Sequence, residues 1–334
     1  MKKHSNIPIF IPELACRHQC VFCNQQKISG QINIPTPEDV DDIVQKYLST
    51  LPHDCVVNIA FFGGSFTGID LNLQEAYLKQ AYKYIENRKI SGIRLSTRPD
   101  YIDEKILELL KNYGVTAIEL GAQSASDEVL MKSGREHRFS DTEKAAKLIK
   151  SFGFELGLQM MIGLPGDDTQ TSINTAKEIV RLGADTTRIY PTLVVKGTLL
   201  EKLFLENKYK PLELEQAVET AKEVYKIFIE NNIKVLRTGL HQSEELSYEN
   251  SLVAGPYHVS FKELVLTQIW SDIFDNKLKN IFSQNIEIFV NSYQLNYAIG
   301  FKSKNKQKLL QKFKKVKFLS DNSLNEFDIR IIEV

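Results

Sequence analysis

From the N-terminus to about residue 200, short apolar runs alternate with amphipathic stretches of helical length. In the stretch 71–87, for example, Leu78, Ala81 and Ile85 recur at the spacing of one helix face. Strands that are apolar on both faces and alternate with helices are typical of parallel sheets joined by right-handed crossovers. The predicted strands are 7–12, 56–62, 92–97, 117–123, 156–163 and 187–195. The predicted helices are 71–87, 103–113, 126–132, 140–151 and 168–182.

Six strands of this kind favour a partial (β/α)6, TIM-like barrel over a complete eight-stranded one, which typically needs about 250 residues. The predicted class is therefore α/β, with the barrel core over residues 1–205. Residues 206–334 are predicted to form a small α+β extension, and this region could bind substrate or RNA. Its predicted elements are a helix over 211–231 and strands over 233–240, 287–290, 293–301 and 327–334.

The unusual sequence motifs fall where predicted strands end. They are "CRHQCVFC" after the first strand, "GGSFTG" after the second, "STRPD" after the third and "GAQS" at the end of the fourth. The carboxyl ends of parallel barrel strands share one face, and active sites are built there. Motifs spread over more than 100 residues of sequence are therefore expected to converge in space.

Composition and charge narrow the class of protein. The chain has 334 residues, a formal net charge of zero and no apolar run long enough to predict a membrane span. The apolar stretch at the N-terminus is short and is interrupted by Pro8, Pro12 and Glu13, so it makes a poor export signal. A cytoplasmic, reducing location is expected, where clustered cysteines favour metal binding or catalysis over disulfides.

Cys16, Cys20 and Cys23 stand at C-x3-C-x2-C spacing, and the fourth cysteine, Cys55, is alone. Structural zinc prefers four closed ligands, often as two spaced pairs, and the sequence has no second pair. A four-iron cluster held by three thiolates leaves one iron open to another ligand. The spacing favours the cluster, with zinc as the alternative, while Cys55 is expected to be a buried structural thiol.

This spacing, with the aromatic Phe22 before the last cysteine, resembles the radical S-adenosylmethionine (SAM) superfamily. The resemblance implies a [4Fe-4S] cluster on Cys16, Cys20 and Cys23, with S-adenosylmethionine chelated at the open iron. It also implies reductive cleavage to a 5′-deoxyadenosyl radical, which requires an electron donor. Gly63, Gly64 and Ser65 match the glycine-rich motif that meets the methionine amino group in this superfamily; a plain turn is the alternative.

The other strand-end side chains are candidate cofactor contacts as well. Arg98, beside Ser96, can bind a carboxylate such as that of the methionine moiety, or can be a solvated surface arginine. Gln123 and Ser124 can bind ribose or substrate, or Ser124 or Ser126 can cap the next helix. Arg188 and Tyr190 share one face of the sixth strand. They point either into the barrel, where Arg188 needs a partner, or towards solvent.

Several motifs together resemble the radical SAM part of the elongator catalytic subunit, a wobble-uridine tRNA acetyltransferase. They are "STRPD", "ELGAQSASDEVL", "GLQMMIGLPGD" and "TTRIYPTLVVKGT". The chain departs from that enzyme in its shorter first cysteine spacing and in lacking a glycine-rich acetyl-CoA loop after residue 200. Oxygen-independent coproporphyrinogen oxidases add a cysteine where this chain has Gln25. The resemblance implies a radical SAM enzyme that modifies tRNA.

The segment 302–317 contains eight lysines and no acidic residue. Leu309, Phe313 and Val316 supply an apolar stripe, so the segment is predicted to be a docked helix with a basic outer face. The candidate RNA contacts are Lys304, Lys308, Lys312 and Lys315; a solvated lysine face is the alternative. A small-metabolite substrate and a non-catalytic metal-binding protein remain as other functions. The sequence assigns no role to Tyr257 or His258.

Overall fold

A computed structural model describes residues 4–11, 20–29, 33–52, 54–240 and 246–334 of the protein. Seven parallel strands form one sheet in the order β1-β2-β3-β4-β5-β6-β8, so the predicted α/β partial barrel is confirmed. The seventh strand comes from the predicted stretch 233–240 and pairs with the sixth. The strands are β1 (His4–Ile11), β2 (Val56–Gly63), β3 (Gly92–Thr97), β4 (Val115–Gln123), β5 (Glu155–Ile162), β6 (Thr186–Pro191) and β8 (Lys234–Thr238).

Helices lie between successive strands and pack on the sheet. Their starts are fixed locally, because Asp70, Asp103, Asp168 and Thr198 each accept a hydrogen bond from a backbone N–H of the first turn. The helices are α1 (Gln25–Ser29), α2 (Asp39–Leu48), α3 (Leu71–Glu86), α4 (Glu104–Asn112), α5 (Asp127–Lys132), α6 (Phe139–Ser151), α7 (Thr169–Arg181), α8 (Leu199–Leu205) and α9 (Leu214–Glu230).

The main core lies between the sheet and these helices. Ile59, Leu95, Ile118 and Leu158, from four successive strands, are completely buried in it. Burying each such side chain stabilises the fold by about 1.5–3 kcal/mol. The predicted strand 187–195 divides into β6 and the short β7 (Val194–Val195), which pairs antiparallel with β9 (Leu252–Ala254). This two-stranded ladder follows the carboxyl end of β6 and therefore lies beside the barrel mouth.

A smaller C-terminal unit has its own core around Trp270, Phe274 and Ile288. Its three-stranded sheet has the order β11-β10-β12. Its elements are α10 (Phe261–Lys277), β10 (Asn285–Val290), α11 (Leu295–Ile299), α12 (Lys304–Leu310), β11 (Lys315–Ser320) and β12 (Arg330–Glu333). The α+β extension is thus present, but two of its predicted elements differ from the structure.

The strand predicted over 293–301 is wrong, because this stretch forms α11 and a following 3-10 turn. Its letters alternate with period two, yet the buried residues are Gln294 and Ala298, four positions apart. The Trp270 indole Nε1–H donates to Gln294 Oε1 at 3.0 Å and fixes that face inward. A contact distant in sequence therefore decides in favour of a helix.

The single helix predicted over 302–317 is correct only in part. Residues 304–310 form α12, but 315–320 form β11, which pairs in parallel with β10. Val316 is buried and the flanking Lys315 and Lys317 are exposed, which is the alternation of a strand with one face on the core.

Among the described residues no helix is long and apolar enough to cross a bilayer.

Candidate cofactor-binding site

The described end of the cysteine motif, from Cys20 to Cys23, forms a turn. The Cys23 N–H donates to Cys20 O at 3.0 Å, which closes the turn and brings this end of the motif together. Val21, between them, is buried; its N–H donates to Ser133 O and its carbonyl accepts from Leu200 N. The turn is therefore held by elements from two other parts of the barrel. Cys16 lies outside the described residues, and within them no three metal-binding side chains cluster.

Gly63 brings the second strand close to the cysteine loop. It has a φ of +111°, and a Cβ there would lie 2.8 Å from the carbonyl oxygen of Ile11, so no side chain fits. The Gly64 N–H donates to the same oxygen at 2.9 Å, and the Gln25 side chain donates to Gly63 O at 2.8 Å. The glycine pair therefore joins the ends of the first two strands directly beside the cysteines.

Arg98 lies at the end of β3 and is almost fully buried, so it is not the solvated arginine of the alternative interpretation. Its Nε and Nη2 donate to the two oxygens of Asp100 at 2.9 and 2.8 Å. Burial alone lowers the pKa of Arg98, but the bonds and charge of Asp100 outweigh it and raise that pKa. The third nitrogen, Nη1, is buried without a hydrogen-bond partner among the described residues. It is a charged donor ready for a carboxylate.

Arg135 is a site residue that the sequence analysis missed. It follows α5 and is buried; its Nη1 is 3.5 Å from Cys20 Sγ, and its Nη2 donates to Gly121 O at 2.5 Å. Its Nε is also buried without a partner in the described part of the chain. The guanidinium thus places a positive charge beside the Cys20 sulfur. A lone arginine after a helix gives no local signal of this contact.

His137 is a second residue that the sequence patterns did not indicate, and it lies close enough to Arg135 to be affected by its charge. Its side chain is fully buried, and neither ring nitrogen has a hydrogen-bond partner among the described residues. Burial, and then the charge of Arg135, lowers the pKa of His137 to about 3. The ring is therefore neutral at physiological pH, and its Nδ1 lies 3.9 Å from Asp100 Oδ1.

The barrel interior contains an ion cluster centred on Glu119, which is 1% exposed. Arg188 Nε donates to Glu119 Oε2 at 2.5 Å, and Arg94 Nε donates to Oε1 at 3.1 Å. Burial raises the pKa of Glu119, but the charge and hydrogen bonds of Arg188, and the charge of Arg94, outweigh it and lower that pKa. Gly157 on the next strand leaves room for this side chain, since a Cβ there would lie 2.8 Å from Glu119 Cγ.

Arg188 thus points into the barrel, and it has the partner that an inward arginine needs. Its Nη1 lies 3.5 Å from the Tyr190 hydroxyl, and its guanidinium lies over the Phe62 ring at 5.2 Å. Ser96 is linked to the same cluster, because Gln159 donates to both Ser96 Oγ at 3.4 Å and Glu119 Oε2 at 3.2 Å.

β4 ends at Gln123, beside a bulge, and Gln123 has a φ of +65°; Ser124 follows the strand. Ser124 Oγ lies 3.4 Å from Thr175 Oγ1 and accepts from Ser126 N at 3.1 Å, so it organises the loop. Ser126 is the cap of α5 and accepts from Val129 N. The cofactor contacts of Gln123 and Ser124 stay predictions.

One pocket at the carboxyl ends of the strands collects most of the candidate residues, as the strand-end motifs led us to expect. It is lined by Cys20, Phe22, Cys23, Gln25, Gly63, Gly64, Ser65, Ser96, Thr97, Arg98, Gly121, Arg135 and Gln159. Gln123, Ser124, Arg188 and Tyr190 are not among its lining residues. Thiols, a close backbone approach and two arginines with unsatisfied buried nitrogens fit an iron–sulfur cluster with an anionic ligand.

Comparison with known protein families agrees with this chemistry. The Radical SAM superfamily matches residues 11–179, which is half of the chain. The chain therefore belongs to the radical SAM superfamily and is an enzyme whose cofactors are a [4Fe-4S] cluster and S-adenosylmethionine. This confirms the predicted class and disfavours a zinc site or a non-catalytic role. A second match, to the Radical_SAM C-terminal domain, covers residues 184–270.

The similar proteins include the tRNA uridine(34) acetyltransferase of Methanocaldococcus jannaschii, 31% identical over 183 residues, or 49% of this chain and 34% of that protein. The heme chaperone HemW of Bacillus subtilis is 26% identical over 74% of this chain and 64% of that protein. Among solved structures, Elp3 of Methanocaldococcus infernus has a TM-score of 0.63 at 21% identity, over 81% of this chain and 64% of that chain. The chain spans about a third of the acetyltransferases it matches.

The four candidate RNA lysines lie on the C-terminal unit and are all exposed. Lys308 pairs with Asp275 at 2.6 Å, and Lys312 donates to Leu278 O at 2.6 Å. Lys304 and Lys315 form no ion pair with any described residue. Local pairing therefore offsets part of the positive charge, and Lys304 and Lys315 are the more available of the four.

Proposed function

We propose that this radical SAM enzyme modifies a tRNA base, with the reaction at the pocket between the cysteine turn and the ends of β2 and β3. The observation that carries the proposal is the meeting of Cys20, Cys23, Gly63, Arg98 and Arg135 around one pocket. The similarity to tRNA uridine(34) acetyltransferases supports tRNA as the substrate. The bound cofactors supply reductive cleavage of the sulfonium and so a 5′-deoxyadenosyl radical, with electrons from a separate donor.

In this proposal Cys16, Cys20 and Cys23 hold the cluster, and Arg135 keeps positive charge against the Cys20 thiolate. Phe22, Gly63, Gly64 and Ser65 shape the backbone wall on which the methionine moiety lies. Arg98 binds the methionine carboxylate through Nη1, because Asp100 orients its other nitrogens and leaves that one buried and unused.

Ser96, Gln123 and Ser124 are proposed to bind the ribose or the substrate. Arg188 and Tyr190 form the floor of the barrel interior, where Glu119 and Glu155 together balance the charges of Arg188 and Arg94. A neutral floor lets an uncharged base enter without meeting a net charge.

The cluster assignment is tested by iron and sulfide analysis of anaerobically reconstituted protein. Cys16→Ala, Cys20→Ala and Cys23→Ala are each expected to lose the brown cluster and 5′-deoxyadenosine release. Cys55→Ala is the matched control: Cys55 packs half-buried against the main core, and its thiol lies 3.8 Å from Val56 O. Loss of iron in Cys55→Ala, with retention in Cys20→Ala, would contradict the assignment.

The RNA assignment is tested by measuring tRNA affinity over a range of salt concentrations. Each phosphate contact contributes roughly 0.7–0.9 to the slope of log K against log salt, so Lys304→Ala with Lys315→Ala should lower the slope by about 1–2. Lys147→Ala, an exposed lysine on the outer face of the barrel, should leave it unchanged. Undetectable tRNA binding by the wild type at low salt, together with unaltered tRNA modification in deletion cells, would refute tRNA as the substrate.

A further inference from the structure

A strip of aromatic side chains runs from the barrel mouth onto the C-terminal unit. We define the aromatic strip as Tyr248, Tyr257, His258, Phe301, Tyr297 and Tyr293. It begins beside the β7–β9 ladder, where Tyr248 and Tyr257 meet edge to face with ring centroids 6.4 Å apart. It continues through His258 and Phe301, whose centroids are 5.3 Å apart. The contact between His258 and Phe301 joins the segment after β9 to the C-terminal unit, where Phe301, Tyr297 and Tyr293 line one pocket.

Both ends of the strip are exposed rather than core. Tyr248 is 58% exposed and Tyr293 is 79% exposed. The Tyr248 hydroxyl donates to Gly255 O at 2.9 Å, which holds the ring in place without covering its face. The four rings between them are partly buried. Large exposed aromatic side chains are sites where a flat partner can bury its surface, so the two ends mark candidate stacking positions.

Positive charge accompanies the rings. Lys262 Nζ lies 5.9 Å from the centroid of Tyr297, and Lys302 Nζ lies 5.6 Å from that of Phe301. The exposed Lys304 and Lys306 follow directly in sequence. Aromatic faces interleaved with lysines are the pattern by which proteins bind single-stranded nucleic acid, because bases stack on rings while phosphates meet the cations.

The far end of the strip borders a pocket of about 490 Å³ between α10 and residues 293–303. This volume lies in the range of small-molecule sites. Tyr293, Tyr297 and Phe301 supply ring faces, Lys302 a cation, and Glu263 one carboxylate. A carboxylate repels phosphate but accepts a hydrogen bond from an exocyclic amino group. The pocket interior therefore suits a base, and its basic rim suits the backbone.

The rim of this pocket is held in an unfavourable backbone conformation. Lys302 and Ser303 are consecutive non-glycine residues with φ of +51° and +61°. The turn is fixed by Thr267, whose hydroxyl accepts from Phe301 N at 2.8 Å and whose carbonyl accepts from Asn305 Nδ2 at 2.9 Å. Such strain persists where the surroundings over-determine it, and it is concentrated at binding sites.

We propose that the aromatic strip binds single-stranded RNA nucleotides next to the modified base, with one base stacked in the pocket at Tyr293. This inference rests on the proposed action on tRNA and extends it, because it assigns where the unpaired substrate strand lies. A duplex cannot use the strip, since its bases are stacked on one another and their faces are covered.

The test is fluorescence anisotropy of the full-length protein with a short unstructured RNA and with a blunt duplex of the same length. Tyr293→Ala and Tyr248→Ala should each weaken binding of the unstructured RNA about five- to ten-fold and leave duplex binding unchanged. Tyr293→Phe retains the ring and should bind like wild type. Phe282→Ala removes a 90% exposed ring outside the strip and should also bind like wild type.

Three other results would each overturn a different part of the proposal. If the wild type binds the unstructured RNA and Tyr293→Ala and Tyr248→Ala bind it equally well, the strip is not the binding surface, while action on RNA still stands. If these variants weaken duplex binding as much, the preference for single strands is refuted. If the wild type binds neither RNA, both the strip and the proposed RNA substrate fail. Release of 5′-deoxyadenosine without RNA, unchanged in all variants, shows that the barrel is intact.

Discussion

The Glu119→Gln variant tests whether the ion cluster inside the barrel is a structural requirement. Glu119 is 1% exposed, and the side chains of Arg94 and Arg188 are 10% and 12% exposed. Two unit charges about 4 Å apart attract by about 4 kcal/mol at an effective dielectric constant of ~20. The amide keeps the shape of the side chain but removes both attractions. It leaves Arg188 without the carboxylate that pairs with it, while Arg94 keeps Glu155, whose Oε1 lies 3.2 Å from Arg94 Nη2.

Breaking a buried ion pair by removing one partner typically costs about 3–5 kcal/mol. We expect a loss in this range here, since Gln159 can replace only part of the hydrogen bonding. With an m-value of about 3 kcal/mol/M, that loss lowers the urea midpoint of unfolding by about 1–1.7 M.

The assay is urea unfolding of the full chain followed by circular dichroism. Glu178→Gln is the matched control, because Glu178 accepts from Arg181 at 2.7 Å on the exposed side of α7 and should leave the midpoint nearly unchanged. A midpoint for Glu119→Gln within about 0.3 M of wild type would refute the reasoning, since it would mean that Arg188 does not depend on the charge of Glu119.

Three further outcomes are expected. Gly63→Ala should destabilise the protein by about 2–3 kcal/mol, because the new Cβ meets the carbonyl oxygen of Ile11. Gly153→Ala is the control and should cost about 1 kcal/mol, because Gly153 has a φ of +82° but open space around it. Equal urea midpoints for the two variants would contradict the close approach of Gly63 to Ile11. Arg135→Leu should slow 5′-deoxyadenosine release about 10–100-fold, while the exposed Arg138→Leu should not; equal rates would remove Arg135 from the site. The pKa of Glu119 is lowered from 4.5, so its charge contributes stability that is complete above that pH and is lost as the pH falls through the folded-state pKa. Glu119→Gln should therefore flatten the acid side of the curve of unfolding free energy against pH. A curve parallel to that of the wild type would argue against the lowered pKa.

The barrel was predictable from sequence because its signals are local. Each strand is an apolar run, and each functional motif directly follows a strand, so parallel topology alone places Cys20, Gly63 and Arg98 at one end. Glu119 lies inside the motif "ELGAQSASDEVL", but its neighbours in sequence do not indicate that it is buried and paired. Its partners Arg94 and Arg188 are 25 and 69 residues away. Pairing at such separations is set by strand register, which the sequence pattern did not provide.

The errors in the C-terminal unit have the same origin. Tyr293, Leu295, Tyr297 and Ile299 alternate like a strand, but the hydrogen bond from the distant Trp270 selects the helical face. In the lysine-rich segment the apolar positions suit a helix up to residue 310 and a strand afterwards, and pairing with β10 decides the second half. Short segments of mixed periodicity depend on their neighbours.

Helix α10 belongs to both hydrophobic cores: Phe261, Val265 and Ile269 pack into the main core, while Trp270 and Phe274 pack into the smaller one. Because one continuous helix of 17 residues contributes to both cores, the barrel and the C-terminal unit share a rigid element. Glu263 and Thr267 of this helix line the pocket at Tyr293, so that pocket is built on an element that also packs into the barrel core. A substitution that shifts α10 is therefore expected to disturb both the pocket and the barrel packing.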